Sequence, residues 1–190
     1  MSGEELRLPW ADDEIVLALP QGWHMRGVLQ PSSDTRVASP GEAVRGSLES
    51  PVGSPRLPDI VPAGRNVVLV VDDLSRPTPV DFILPAVLEE LGRGGTRKDQ
   101  ITLVTALGVH RPMTEAEICA RVGREVLQDL RWENHDCDDL DRLDDLGTTE
   151  RGTRVLVNSL VARADVVVSI GCIEPHIIAS FGGGYKNLIP

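Results

Sequence analysis

The sequence predicts an α/β fold: a mostly parallel sheet flanked by helices, Rossmann-like, with a small N-terminal β segment. Two observations lead to this class. Short continuous apolar runs, such as VVLVV at residues 67–71, are typical of strands buried on both faces of a parallel sheet. Segments with helical apolar periodicity separate these runs along the chain, and strands that alternate with helices indicate a parallel sheet.

Residues 1–65 are predicted to hold two short strands followed by irregular structure. The strands flank a turn at residues 11–13. The stretch that follows is rich in Pro, Ser, Gly and Arg, and one helix is expected in it. Ser39 would be the N-cap of this helix, with Glu42 closing a capping box.

Residues 66–190 are predicted to form the α/β core. Strands are expected in NVVLVVDD, QITLVTAL, RWENHDC, TRVLVN and DVVVSIG. Helices are expected in PVDFILPAVLEELGRGG, TEAEICARVG and NSLVARA. Pro85 is expected to kink the first helix or delay its start, whereas Thr114 and Glu117 form a capping box at the second. The acidic stretch DCDDLDRLDDLG is expected to be a solvated loop or edge.

Composition narrows the function classes. A net charge of −10 argues against nucleic acid and anionic membrane as partners, because both need a basic face on the protein. The three cysteines are widely spaced and match neither a disulfide framework nor a CxxC zinc signature. The polar N-terminus is not a signal peptide, and no apolar run is long enough for a transmembrane helix. We therefore expect a cytoplasmic protein.

Polar segments follow three predicted strands at their carboxyl ends, where open α/β sheets bind ligands. VVLVV runs into DDLSRPTP, ITLVTA runs into LGVHRP, and VVVSI runs into GCIEPH and FGGGYK. These segments would bring nine polar residues to one rim: Asp72, Asp73, Ser75, Arg76, His110, Arg111, Glu174, His176 and Lys186. The sequence therefore predicts a ligand site at this rim.

Arg76 and two histidines suggest chemistry on a carboxylate substrate. Arg76 precedes a proline, and a guanidinium held by a restricted backbone can bind a carboxylate through two parallel hydrogen bonds. The alternative is an ion pair with Asp72 or Asp73 that closes the loop. His110 and His176 could exchange protons near neutral pH, or they could be inert loop residues. The remaining two histidines, His24 and His135, are interpreted as structural.

Lys186 is one of only two lysines, against 17 arginines, and it follows three glycines and a tyrosine. It could be a cation beside a phosphate, a covalent nucleophile, or a surface lysine in a flexible tail. GGGYKN does not match GxxxxGK[ST], so a Walker-type site is not expected. Cys172 and His176 lie four residues apart, but no further metal ligands follow at a recognisable spacing.

The segments PVGSPRL, VVDDLSRPTP, TALGVHRPMTEAEI and GCIEPHIIASFGGGYKNLIP resemble the N-terminal domain of the nickel-dependent lactate racemase family, across residues 50–190. The resemblance implies a racemase or epimerase of a small 2-hydroxy acid that works by reversible hydride transfer. It also implies a nickel pincer nucleotide (pyridinium-3,5-bisthiocarboxylic acid mononucleotide nickel), bound covalently to Lys186 and made by dedicated cofactor-synthesis proteins.

The resemblance assigns roles to the matched residues. His110 and His176 would be the acid–base pair, and Arg76 would bind the substrate carboxylate. Four further residues would border the cofactor together with Lys186: Asp73, Ser75, Gly183 and Gly184. Tyr185 stands where many relatives have an arginine, which leaves one polar contact to the cofactor or substrate open. Lactate, malate, aryl-lactates and sugar acids all stay open as substrates, because the walls that select the substrate side chain would lie partly beyond Pro190.

The resemblance assigns no metal ligand within this chain. The family's nickel-coordinating histidine and second domain lie beyond Pro190, so we expect residues 1–190 to be an N-terminal domain that lacks the C-terminal domain and is inactive alone. Two other function classes remain open. One is a non-catalytic domain that binds a nucleotide or organic acid, and the other is a hydrolase or lyase that uses the two histidines with a bound metal.

Overall fold

The computed structural model describes residues 5–10, 12–28 and 39–189 of the chain. The chain divides into two compact units, residues 1–38 and 39–190. In the first unit, β1 (Glu5–Trp10) and β2 (Asp13–Ala18) form an antiparallel hairpin. The two predicted N-terminal strands are therefore confirmed.

The second unit contains the helices and the larger sheet. Its helices are α1 (Pro40–Glu49), α2 (Leu57–Ile60), α3 (Val80–Arg93), α4 (Glu115–Val122), α5 (Arg124–Asp129) and α6 (Ser159–Ala162). Its strands are β3 (Val67–Asp72), β4 (Ile101–Ala106), β5 (Arg131–Asn134), β6 (Leu143–Thr148), β7 (Arg154–Asn158), β8 (Val166–Ile170), β9 (Pro175–His176) and β10 (Ser180–Phe181). Short 3-10 turns occur at Lys98–Gln100, Leu140–Arg142 and Gly184–Asn187.

Four parallel strands form the main sheet in the order β5-β4-β3-β8, which confirms the predicted α/β class. Every residue of the central strand β3 is buried, as its continuous apolar sequence predicts. Strand β8 is less buried than its apolar sequence suggests. This strand pairs with β3 alone in the described sheet, and most of its residues are partly exposed.

Alternate residues of β3 face two different layers. Val67, Leu69 and Val71 belong to the main core, which includes buried side chains of α3 and α4. Val68 and Val70 belong to a smaller cluster on the opposite face, against which Val161 of α6 and Leu188 pack. The second face is therefore covered by short elements rather than by long helices.

The structure departs from the predictions at several local features. Ser39 is the N-cap of α1, but its side chain makes no capping hydrogen bond, so the predicted capping box with Glu42 is wrong. Helix α3 begins at Val80, so Pro85 lies inside it and does not delay its start. Helices α1 and α2, which precede the predicted α/β core of residues 66–190, belong to the compact unit of residues 39–190.

The acidic stretch, predicted to be a solvated loop or edge, ends in a strand. Its residues 143–147 belong to β6, which pairs with β7 in a two-stranded antiparallel hairpin, so the edge alternative fits this part. The capping box of α4 is confirmed, since the Thr114 hydroxyl accepts from the Glu117 amide and the Glu117 carboxylate accepts from the Thr114 amide. Over the described ranges, the structure contains no helix of the length and apolarity needed to cross a membrane.

Candidate active site

The candidate site lies where the strand order of the sheet reverses. From β3 the chain adds β4 and β5 on one side, and it later returns to place β8 on the other side. Ligands of open parallel sheets bind beyond the carboxyl ends of the strands that flank such a reversal. Asp72 ends β3 at this point, and the Cys172 amide, just after β8, lies 3.4 Å from its Oδ2 atom.

A buried ion pair between Asp72 and Arg121 holds the segment after β3. The Arg121 guanidinium donates to the Asp72 carboxylate, and its Nε atom donates to the Asp72 carbonyl at 3.0 Å. Its Nη1 atom donates to the carbonyls of Arg76 and Thr78 at 3.1 and 2.8 Å. Helix α4 therefore fixes the backbone of residues 72–78. Sequence reasoning missed Arg121, because nothing distinguishes it from a surface residue of that helix.

Arg76 forms an ion pair with Glu174. Its Nη1 atom donates to Oε1 of Glu174 at 2.6 Å, and both side chains are about three-tenths exposed, at 27% and 31%. This pairing differs from the alternative considered on sequence grounds, an ion pair with Asp72 or Asp73. Those two carboxylates are bound by other residues, Arg121 and His110 respectively.

His110, in the loop after β4, is held by Asp73. Its Nδ1 atom lies 2.6 Å from Oδ2 of Asp73, which leaves Nε2 as the ring nitrogen for a ligand. Oδ1 of Asp73 accepts from the amide of Ser75 at 3.0 Å and from its hydroxyl at 2.5 Å. Burial works to raise the pKa of Asp73, but hydrogen bonds from Ser75 and His110 outweigh it and lower that pKa below its usual value.

His176 lies in the small hairpin of β9 and β10. Its Nδ1 atom accepts from the amides of Ile178 and Ala179, at 3.2 and 3.1 Å. A ring nitrogen that accepts carries no proton, so neutral His176 has its proton on Nε2. Both histidines therefore use Nδ1 for contacts within the protein. With Nδ1 facing Asp73, His110 can keep an unprotonated Nε2, whereas neutral His176 carries its proton on Nε2.

Gly183 shapes the segment that carries Lys186. Its φ angle of 72° lies in the left-handed region, and a Cβ atom at this position would lie 2.3 Å from the carbonyl oxygen of Cys172. The glycine is therefore needed for close packing within the chain. Contact of Gly183 and Gly184 with a cofactor stays a prediction.

The Lys186 turn is attached to the end of β8. Asn187 donates from Nδ2 to the Ser169 hydroxyl at 3.1 Å. Among the residues that the structure describes, the Lys186 amine has no hydrogen bond or ion pair, whereas the other lysine, Lys98, pairs with Asp129. Lys186 is thus the site's unpaired cation in the described part of the chain.

A cavity of about 580 Å³ brings most of these residues together. Six of the predicted rim residues line it: Asp72, Asp73, Arg76, His110, His176 and Lys186. Apolar side chains of the second sheet face, among them Val70, Val104 and Leu188, form another wall. The volume lies in the range of roughly 300–1,000 Å³ that is typical of small-ligand sites.

His135, which the sequence led us to interpret as structural, also lines the cavity. It directly follows β5, so it obeys the same strand-end rule as His110. Its Nδ1 atom is buried and makes no hydrogen bond within the described residues. Burial lowers the pKa of His135, against the opposing charges of Asp136 and Glu133, and this favours the neutral ring.

Some residues predicted for the rim or for cofactor contact do not line the cavity. Ser75, Gly183 and Gly184 are not among the residues that line the cavity. Arg111 binds Glu117 through two contacts of 2.9 and 2.6 Å instead of facing the rim, and its side chain is 70% exposed. The bonds from Arg111 and from the Thr114 amide lower the pKa of Glu117 to about 2.

The residues fit a tethered organic cofactor better than a metal held by this chain alone. An unpaired amine lines a cavity of ligand size, beside two histidines and an arginine. Within residues 5–10, 12–28 and 39–189, no three or more His, Cys, Asp or Glu residues are grouped so that they could hold a metal ion. Lys186 is accordingly the residue that fits attachment of the cofactor.

The fold and the cavity define a small-ligand α/β domain whose rim combines acid–base groups with an arginine and an amine. Residues 10–190 match the lactate racemase N-terminal domain family, and the chain belongs to this family.

Two curated relatives are named lactate racemase. The protein of Thermoanaerobacterium thermosaccharolyticum is 29% identical over 187 residues, which are 97% of this chain and 43% of that protein. The protein of Lactiplantibacillus plantarum is 32% identical over 149 residues, which are 78% of this chain and 35% of that protein. The chain therefore spans less than half the length of these relatives.

Solved structures agree with the fold. The lactate racemase apoprotein of T. thermosaccharolyticum matches with a TM-score of 0.82 and 28% identity, over 98% of this chain and 43% of that one. A Thermotoga maritima protein matches with a TM-score of 0.65 and 22% identity, over 78% of this chain and 37% of that one. At that identity, the second match supports the fold alone.

Proposed function

We propose that this chain carries the acid–base and cofactor-attachment residues of a 2-hydroxy-acid racemase or epimerase. One observation carries the proposal: Arg76, His110, His176 and Lys186 line a single cavity at the strand-order reversal. Membership in the lactate racemase N-terminal domain family supports it. The substrate class is a small 2-hydroxy acid with lactate as the first candidate, because the curated relatives are named for it.

Arg76 binds the substrate carboxylate in this proposal. Its backbone carbonyl is fixed by Arg121, so the guanidinium projects from a rigid loop. A planar guanidinium binds a carboxylate through paired N–H donors, which orients the neighbouring Cα atom as well as binding the acid. The hydroxyl group then lies within reach of the histidines that line the same cavity.

His110 and His176 exchange the hydroxyl proton. Nε2 of His110 accepts this proton as Cα is oxidised, because Nδ1 of that ring can carry the ring proton toward Asp73. His176 returns a proton on the other side after the planar 2-oxo acid is reduced. For this its ring must leave the amides of Ile178 and Ala179, so that Nδ1 carries a proton while Nε2 gives or takes one. Asp73, charged and fixed by Ser75, stabilises the protonated form of His110. His176, whose Nδ1 accepts two amides, has no carboxylate at that nitrogen, so the two rings are not equivalent.

Lys186 holds the cofactor through its amine. When bound, a nickel pincer nucleotide supplies hydride acceptor and donor chemistry at the substrate Cα, which amino-acid side chains do not provide. The unpaired amine and the ligand-sized cavity support this attachment. Asp73 also lines the cavity and is a candidate contact of the cofactor, which dedicated synthesis proteins would supply.

Interconversion of D- and L-lactate by the cofactor-loaded native protein tests the proposal, with malate, aryl-lactates and sugar acids as further substrates. Arg76→Ala should lower kcat/KM by about 100-fold or more, because a charge-assisted carboxylate contact is lost. Arg111→Ala is the matched control and should leave it unchanged, since Arg111 is exposed and pairs with Glu117. Binding of these acids without interconversion would instead support a non-catalytic organic-acid-binding domain.

A further inference from the structure

The Arg76–Glu174 ion pair places a carboxylate of the protein on the arginine that is proposed to bind the substrate carboxylate. The contact is 2.6 Å and uses Nη1 of Arg76 and Oε1 of Glu174. Arg76 lines the cavity, whereas Glu174 is not among the lining residues. Glu174 therefore occupies Nη1, one of the guanidinium donors that a substrate carboxylate could use.

Contacts with Gly182 hold both the backbone and the side chain of Glu174 in place. Its carbonyl accepts from the Gly182 amide at 2.7 Å, just beyond the paired residues of β9 and β10. A Cβ atom on Gly182 would lie 3.4 Å from Cγ of Glu174, so the side chain packs against this glycine. Two residues further on is His176, so the ion pair also joins the His176 hairpin to the Arg76 loop.

The Arg76–Glu174 ion pair reduces the positive charge that the cavity offers to an anionic substrate. Arg121 is neutralised by Asp72, and His110 faces the charged Asp73. Glu174 likewise neutralises Arg76, which would otherwise attract an anionic substrate into a protein of net charge −10. Because both partners are 27–31% exposed, their attraction is screened by water and can be replaced by that of another carboxylate.

We propose that Glu174 is an internal competitor that sets the affinity of Arg76 for carboxylate substrates. An entering 2-hydroxy acid replaces Glu174 on the guanidinium, and the free energy of breaking the internal ion pair is subtracted from that of substrate binding. The identity of the substrate rests on the proposed racemase function, but competition for Arg76 does not require turnover.

Calorimetric titration of the native protein with L-lactate tests this proposal directly. Glu174→Gln keeps the size of the side chain and removes its charge, so lactate should bind about fivefold more tightly, in keeping with the loss of a partly exposed ion pair. Glu89→Gln is the matched control. Glu89 pairs with Arg93 on the surface of α3, and removing the same charge there should leave the dissociation constant unchanged.

A second variant, Arg76→Ala, tests whether the tighter lactate binding of Glu174→Gln depends on Arg76. In Arg76→Ala, lactate binding should be weak, and addition of Glu174→Gln should no longer tighten it. If Glu174→Gln has the same unfolding temperature as the native protein but binds lactate equally or more weakly, the proposal is overturned. The absence of lactate binding in both the native protein and this variant would also overturn it. Tighter binding without racemisation would support the role of Glu174 while overturning the proposed racemase function.

Discussion

Nδ1 of His110 and Oδ2 of Asp73 lie 2.6 Å apart at the carboxyl end of the sheet. The carboxylate is itself held by the amide and hydroxyl of Ser75, two residues further along the chain. Ser75 thus orients Asp73, and Asp73 orients His110. This series of contacts gives His110 one defined ring orientation before any ligand binds.

Replacement of Asp73 by asparagine should lower kcat by about 100-fold, at the lower end of what acid–base catalysis contributes. The amide keeps the shape of the side chain but cannot stabilise the protonated ring of His110. Steady-state racemisation kinetics would measure the effect. Ser75→Ala should cost much less, since His110 keeps its charged partner. An equal loss in both variants would contradict the proposed division of roles.

The Asp73 carboxylate should also make stability depend on pH. Its pKa in the folded protein is lowered from 3.8, so the charged form stabilises the fold at pH values above 3.8. This contribution should be lost as the pH falls below 3.8 and through the lowered folded pKa. Urea denaturation of the native protein and of Asp73→Asn would measure it. A difference in free energy of unfolding that stays constant through this window would contradict the assignment.

Cofactor attachment and proton transfer should be separable by mutation. Lys186→Ala should abolish covalent loading, because the amine is lost. His110→Ala and His176→Ala should leave loading intact and remove turnover. Mass spectrometry of the peptide that contains residue 186, together with racemisation assays, distinguishes these outcomes. A loaded and active Lys186→Ala protein would exclude the tether.

Arg121→Met should destabilise the fold by about 3–5 kcal/mol, because it leaves the buried Asp72 carboxylate without its partner. Equilibrium urea denaturation measures this change. Arg163→Met is a suitable control, since Arg163 pairs with Asp144 at the surface, where ion pairs contribute about 0–1 kcal/mol. Similar losses in both variants would show that Arg121 is not a special anchor of the loop after β3.

Gly183→Ala should destabilise the Lys186 segment more than Gly184→Ala does. Both glycines have positive φ angles, 72° and 54°, so each alanine incurs backbone strain of about 1–2 kcal/mol. Only at position 183 does the added Cβ atom also meet a backbone oxygen, that of Cys172, whereas the space beside Gly184 is open. Thermal unfolding of the two variants should separate these contributions, and equal shifts would contradict the role of close packing.

Local patterns predicted most of the main sheet. The apolar runs of β3 and β4 are buried as expected, because burial on both faces leaves a continuous apolar sequence. Two features were not predicted. The edge position of β8 in the described sheet depends on pairing between distant segments, and the acidic sequence of β6 lacks the apolar pattern of a strand. The predicted side-chain cap of α1 is absent, because a capping sequence permits the hydrogen bond from the Ser39 side chain but does not enforce the rotamer that makes it.

At the candidate site too, local patterns predicted positions along the chain but not contacts between distant residues. The strand-end rule correctly brought Arg76, His110 and His176 to one cavity, and applied to β5 it also identifies His135. The partners of these residues could not be predicted. Glu174 lies 98 residues from Arg76 in the sequence, so only the folded sheet brings the two together. Arg121 likewise reaches Asp72 across 49 residues.

The attachment of a cofactor to Lys186 is the central claim, and peptide mapping of the active native protein tests it most directly. The protein would be isolated from source cells grown with nickel in the medium. Before digestion, it would be shown to interconvert D- and L-lactate. We predict that the peptide containing Lys186 carries an added mass of nucleotide size. Racemising protein in which this peptide has its unmodified mass would contradict the account.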